Sequence, residues 1–353
     1  MKQANCRSER GFSLMEMLLA MALGLVVLAG AVAMLRQGVD ISHMITQRAE
    51  MQQNVRVAIN FLARDLSIAG TGMPAGGIQL PIGGGAQNPL RGCSTTTCGL
   101  WGFFADQRLY SVTPGDGLGP IVNGVQTDIV TLAYRDDSID LGQLTAATPS
   151  GNQIDIDPTI DPPLNDPAVG IKINDMLVLC NSNGCAVGVV TGLLPDATIF
   201  ANNDDLNVNQ PSAANGNIAS ILDPPNGPAI PPTSAYRIST VTYFIQMVAG
   251  PDGQLNTADD VARLMRQVNA NPPAPVAENI ENLQFTYDIF DDNLGVPTAA
   301  LPNAGGLPNQ IRKINISVSA RSPARGLFRP RYERTTLVTS VNARNLTFRD
   351  RYQ

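Results

Sequence analysis

The spacing of hydrophobic and polar positions changes twice along the chain. From Gly11 to Leu35 the sequence reads GFSLMEMLLAMALGLVVLAGAVAML, and Glu16 is its one charged residue. A helix needs about 20 apolar residues to cross a bilayer, so this run is long enough. Past it, apolar residues stand at Ile41 and Met44. From Met51 they recur every three or four positions, at Val55, Ile59, Leu62, Leu66 and Ala69. That is the stripe of an amphipathic helix. Gly70, Gly72 and Pro74 then supply stop signals. The pattern predicts one helix over 12–69, about 85 Å long at roughly 1.5 Å per residue.

After 126 the period shortens towards two. Strands are expected at 127–134, 235–248, 262–268, 281–290, 312–320 and 333–343, where β-branched and aromatic residues concentrate. The apolar runs around NSNG in 171–193 predict a hairpin. Segments 143–170 and 195–233 are dense in Pro, Asn and Asp and are expected as long surface loops. GTGMPAGG has neither a leading strand nor a following helix, so it is expected as a connector rather than a phosphate loop. The fold class expected is α+β: a long N-terminal helix packed on an antiparallel β-sheet domain with long loops.

Charge orients the apolar run. Lys2, Arg7 and Arg10 precede it against Glu9, and short basic flanks stay in the cytoplasm. The expected topology is a single pass with the C-terminal bulk outside. A conventional secretory signal also begins with a basic and then an apolar region, but this apolar core is longer than such signals use. An acid inside a membrane run is costly and is a functional candidate by default, the bland alternative being a carboxylate still in contact with water at the interface.

The basic leader ending in Gly11, then Phe12, then Ser-Leu-Met-Glu and an unbroken apolar helix, resembles the type III signal of type IV prepilins and pseudopilins. The resemblance implies that a prepilin peptidase cuts between Gly11 and Phe12 and methylates the new Phe12 amine. It also implies that Glu16 pairs with that amine on a neighbouring subunit during assembly. ARDLSIAGTG, VTYFIQ, LMRQV, AENIENLQFTYD and TTLVTSVNARNL are similar to the PilW class of minor pilins. That resemblance implies a structural, assembly-priming subunit of a type IV pilus. The alternatives are a minor pseudopilin of a type II secretion system and a tip adhesin. The implied partners are the other minor pilins and the major pilin, met through the N-terminal helix, the prepilin peptidase and the inner-membrane assembly platform. The implied location is the bacterial inner membrane with the C-terminus in the periplasm, then the pilus. The expected divisions are a leader (1–11), a membrane and filament-core helix (12–35), its amphipathic continuation (36–69), a Gly-rich connector (70–126) and a β-rich domain (127–353).

Composition agrees with export. Losing the leader's three bases and one acid takes the net charge from −6 to −8, so nucleic acid is not indicated as a partner. Beyond Cys6 the cysteines fall as Cys93 with Cys98 and Cys180 with Cys185, equally spaced. Two local disulfides are expected in an oxidising compartment. Free thiols or zinc are the alternatives, but zinc prefers CxxC spacing with histidine help and the one histidine is His43. HExxH, Walker and GxSxG motifs are absent from the sequence, so no enzyme is expected. Trp101, Phe103 and Phe104 are expected as a minor core anchor, with a binding patch as the alternative. In GPDGQLNTADD (250–260), Asp252, Asn256, Asp259 and Asp260 stand close together. They resemble calcium-binding loops of some secretion pseudopilins, which makes calcium the candidate cofactor. The composition by itself describes a hairpin tip.

Overall fold

The computed structural model describes residues 12–74, 76–81, 91–94, 97–100, 108–147, 153–156, 162–202, 204, 206–222, 232–255, 257, 259–291, 295–325 and 331–346. Helix α1 runs unbroken over Leu14–Ile68. It stops where Gly70 takes φ +84°, a left-handed conformation that a Cβ would oppose; an added Cβ would also lie 3.0 Å from Leu346. Asn345 closes this end by donating to the Ala69 carbonyl (3.2 Å) and to Thr71 Oγ1 (2.8 Å).

Eight long strands carry the β structure: β1 (Ile129–Ala147), β2 (Met176–Asn181), β3 (Gly184–Val189), β4 (Ser234–Val248), β5 (Val261–Val268), β6 (Ile280–Asp291), β7 (Ile311–Arg321) and β8 (Arg334–Asn342). In the larger sheet β1, β4, β2 and β3 lie side by side, and β5 pairs with the second half of β4. Short strands extend it at both edges, Gln153–Ile156 beside β1 and Ile78–Gln79 beside β3; the latter pair is parallel. The smaller sheet has the order Val296–Leu301, β6, β7, β8, antiparallel throughout. The fold is α+β, pilin-like, with a long N-terminal helix and a large mixed, mostly antiparallel β domain.

Contacts divide the chain into two units. One holds the chain up to Glu50 together with Ser322–Glu333, and the other holds the remainder. In the second unit, Met51, Val55, Ile59, Leu62, Leu66 and Ala69 of α1 are all buried in one core with residues of β1, β4, β6 and β7. Burying a Leu-sized side chain contributes about 1.5–3 kcal/mol, so this stripe is the main tie between helix and sheets. A polar tie crosses the same core. Asp65 Oδ2 accepts from Tyr243 Oη (2.7 Å) and from Arg266 Nε (2.7 Å).

Asp128 links the two sheets. Its N–H donates to the Leu283 carbonyl (2.9 Å), and its carboxylate accepts from the amides of Gly117 (2.9 Å) and Phe285 (2.7 Å). Burial pushes its carboxyl up to about 6 against the two amide bonds that favour the charged form, and Asp116 adds to the rise. The Tyr287 hydroxyl, which feels the same charges, is buried without a hydrogen-bond partner among the described residues. The native state therefore holds a proton on Asp128 that the unfolded chain releases near its ordinary value. This contribution is full below about pH 4 and is lost as pH rises through 6, a swing of roughly 3 kcal/mol. Urea midpoints taken between pH 4 and 7 are expected to fall with rising pH, and Asp128→Asn is expected to flatten that slope. Equal slopes in the two proteins would contradict it.

Three segments differ from their sequence expectation. Within 143–170, expected as surface loop, β1 runs on to Ala147, Gln153–Ile156 is a strand, and Ile154 and Leu164 are buried. Between the helix and β1, where 70–126 is expected as a connector, short strands occur, among them Arg108–Leu109, Val112–Gly115 and the hairpin Ile121–Val122/Val125–Gln126. Within 195–233, expected as surface loop, Phe200, Leu206, Val208, Ile218 and Ile221 are buried. The polar residues that suggested solvent instead satisfy the backbone. Asp204 accepts from the amides of Leu206, Val208 and Asn209. Asn209 bonds both the amide and the carbonyl of Val189.

Candidate assembly site at the helix start

The helix begins at Leu14 because Ser13 caps it. Glu16 N–H donates to Ser13 Oγ (3.2 Å), and Ser13 N–H donates to Glu16 Oε2 (2.9 Å). This reciprocal pair is a capping box, which satisfies two amides that the helix cannot. The negative side chain also sits in the first turn, where the helix dipole favours it. Phe12 stands outside the helix and is 91 % exposed. The apolar residues from Leu14 to Leu35 are exposed as well, and the helix is long and apolar enough to cross a membrane. Glu16 is thus anchored through one oxygen, and its second oxygen accepts nothing among the described residues. The sequence carried the signal for this cap, since Ser-x-x-Glu before an apolar run is the capping-box pattern. Gly11 lies outside the described residues.

The other expected sites fall elsewhere. Cys180 and Cys185 face each other across the β2–β3 hairpin and form a disulfide of 2.03 Å. Cys93 and Cys98 are likewise opposite one another in the hairpin Arg91–Ser94/Thr97–Leu100, while their side chains lie outside the described residues. The shared register predicts a second disulfide. Mass analysis of a non-reduced digest is expected to give the peptide joined at 93 and 98; alkylated thiols at those positions would contradict it. Trp101, Phe103 and Phe104 lie outside the described residues.

In the 250–260 loop Asn256 lies outside the described residues. Thr257 Oγ1 donates to Asp259 Oδ1 (2.8 Å) and to Asp260 Oδ1 (3.2 Å), and the Asp252 amide donates to Asp259 Oδ2 (3.2 Å). The Thr257 hydroxyl, and after it the Asp252 amide, hold the Asp259 carboxyl below its ordinary value. Asp260 is buried, and its carbonyl accepts from Arg321. Gly250 packs so tightly on Asp259 that an added Cβ would sit 2.4 Å from the Asp259 carbonyl. The described carboxylates of the loop are engaged in building the turn. Among the described residues no three of His, Cys, Asp and Glu gather where they could hold a metal. His43 bonds Gln47 one turn along α1.

A membrane-length apolar helix, capped by a serine–glutamate pair and continuing beneath a β domain, defines a pilin-like protein. Residues 6–32 match the family described as the prokaryotic N-terminal methylation motif. No curated protein and no solved structure matches the chain. The chain therefore carries a type IV pilin-like prepilin signal, the mark of a pilin-like or pseudopilin protein that prepilin peptidase processes, and this identification rests on its N-terminal residues.

Proposed function

We propose that the protein is a minor pilin of the PilW class, a structural subunit that helps to prime a type IV pilus and has no catalytic role. The observation that carries this reading is the methylation motif over residues 6–32, set on a helix whose first turn holds the one carboxylate of the apolar run. On this reading the peptidase cuts between Gly11 and Phe12 and methylates the Phe12 nitrogen. Cleavage leaves a cationic amine at the membrane edge, and an unpaired ion there costs several kcal/mol. Glu16 of an adjoining subunit offers the compensating charge. Until then the Ser13 amide holds the carboxylate in a fixed rotamer at the helix start, so little further order is lost when subunits dock. The apolar surface of 12–35 supplies the remaining contact with other minor pilins and the major pilin.

Loss of the gene tests the role. A deletion strain is expected to lose surface pili, and pili sheared from the complemented strain are expected to contain the mature chain. Normal piliation with failed protein secretion would assign the chain to a secretion pseudopilus instead.

A further inference from the structure

β8 forms one side of the smaller sheet, with no strand beyond it among the described residues. Two other edge strands of the β domain are interrupted. Val296–Leu301, at the opposite side of the same sheet, carries Pro297, a register shift between Tyr287 and Ile289 of its partner strand, and Ala300 at φ +57°. Ala274–Glu278, beyond β5, carries Pro275, a register shift and Glu278. Such features keep an edge strand from pairing with other chains. β8 has none of them. It pairs with β7 over nine residues without a shift, and 335–343 contains neither proline nor charge. Which of its backbone groups are open follows from one bond. Ala343 N–H donates to the Arg312 carbonyl (3.0 Å), one step beyond the Lys313–Asn342 pair. Bonded and non-bonded pairs alternate along antiparallel strands. Leu337, Thr339 and Val341 therefore bond β7, while the N–H and C=O of Thr336, Val338 and Ser340 point away from it. On the core face Leu337 is 41 % exposed, although Val318 directly opposite is fully buried. The core thus ends on an open side at β8.

We propose that β8 takes up an extended strand from a neighbouring, different subunit, which adds to the smaller sheet through the backbone of Thr336, Val338 and Ser340. The inference rests on the pilin reading above. Strand addition draws affinity from main-chain bonds and specificity from alternate side chains. An apolar side chain of the incoming strand beside Leu337 would complete the core. Charge selects further. Glu281 is shared between Arg334 and Arg321, Arg344 follows the strand, and no acid occurs over 334–345. The incoming strand is therefore uncharged at its centre and acidic at an end. A second copy of this chain fits less well. Antiparallel pairing of β8 with itself about Val338 sets Arg334 of each chain diagonally to Arg344 of the other, roughly 7–8 Å apart. Area indicates what keeps the strand there. Seven residues span about 23 Å and, at a depth of about 10 Å, bury roughly 500 Å² over both chains. That is under half of the ~1,200 Å² of a stable complex. The occupant must already be tethered alongside, and the exposed apolar residues of 14–35 supply such a contact.

Photo-crosslinking of the full chain in its own cells tests this, with p-benzoylphenylalanine in place of Ser340. The adduct expected joins a different polypeptide with a methylated N-terminus, at a segment free of Lys and Arg. Val338→Pro and Thr336→Pro each remove one outward N–H and no bond to β7, a position where an edge strand tolerates proline. Each is expected to keep the wild-type urea midpoint and to lower the adduct about tenfold, the worth of one backbone hydrogen bond. Val338→Thr keeps the N–H and should keep the adduct. In the isolated wild-type chain the amides of Thr336, Val338 and Ser340 are expected to exchange fast, and those of Leu337, Thr339 and Val341 slowly. Slow exchange at all six would mean that the edge is already covered, and would overturn the proposal. So would the absence of an adduct, an adduct to a second copy alone, an adduct undiminished by proline, or a lowered midpoint in both proline variants. The mass of the chain reports the pilin reading separately. A chain that keeps its leader would end that reading, and this inference with it.

Discussion

Glu16→Gln is expected to yield a subunit that folds and is processed but does not enter the filament. Glutamine keeps an acceptor for the Ser13 amide, so the cap and the helix start survive with a loss of at most about 1 kcal/mol. What it removes is the negative charge available to a neighbour's Phe12 amine. An amine left unpaired in a low-dielectric contact costs about 3–5 kcal/mol, which is a drop of about two to four orders of magnitude in docking. Sheared pili from a strain carrying the variant should therefore lack the chain, while membranes hold it at its mature mass. Glu16→Ala removes both the cap and the charge and should be no better. Recovery of the glutamine variant in pili at wild-type amounts would show that the cap, and not charge pairing, is what this residue supplies.

The second large effect lies in the β domain. Asp65→Ala is expected to cost about 3–5 kcal/mol of stability, a large part of the 5–15 kcal/mol that holds most proteins folded. Asp65 is 4 % exposed, and its carboxylate accepts from both Tyr243 and Arg266. Its removal strands a buried hydroxyl and a half-buried guanidinium. Asp65→Asn retains an acceptor for Tyr243 but no charge for Arg266 and should fall between wild type and alanine. Urea midpoints in detergent give this order directly. A wild-type midpoint for the alanine variant would mean that the apolar stripe of α1 holds the helix without polar help.

Much of this architecture was legible in local pattern. The helix, its stop near Gly70 and the strands at 235–248, 262–268, 281–290 and 312–320 fall within a residue or two of α1, β4, β5, β6 and β7. Each is long and strongly periodic, and turn residues mark its ends. The division into two sheets was not legible. It rests on which distant strands pair, and the ties across the core, Asp128 to Leu283 and Phe285 and Asp65 to Arg266, span separations that no periodicity records. Burial of Phe200, Leu206 and Ile218 was hidden for another reason. Asn and Asp are loop-formers by composition, and in 195–222 they serve as internal hydrogen-bonding groups instead. At the candidate site the residues themselves were visible, but one short string encodes two messages. Ser-Leu-Met-Glu fits a processing signal and also a capping box, and only the geometry at 2.9 and 3.2 Å brings out the second.

The account turns on what happens at Gly11 and Phe12. Intact-mass and N-terminal fragment spectra of the chain purified from its own cells measure that directly. The result predicted is a mature chain that begins at Phe12 and carries one methyl group on its amine. A chain that keeps its leader, or one that begins beyond Leu35, would contradict it.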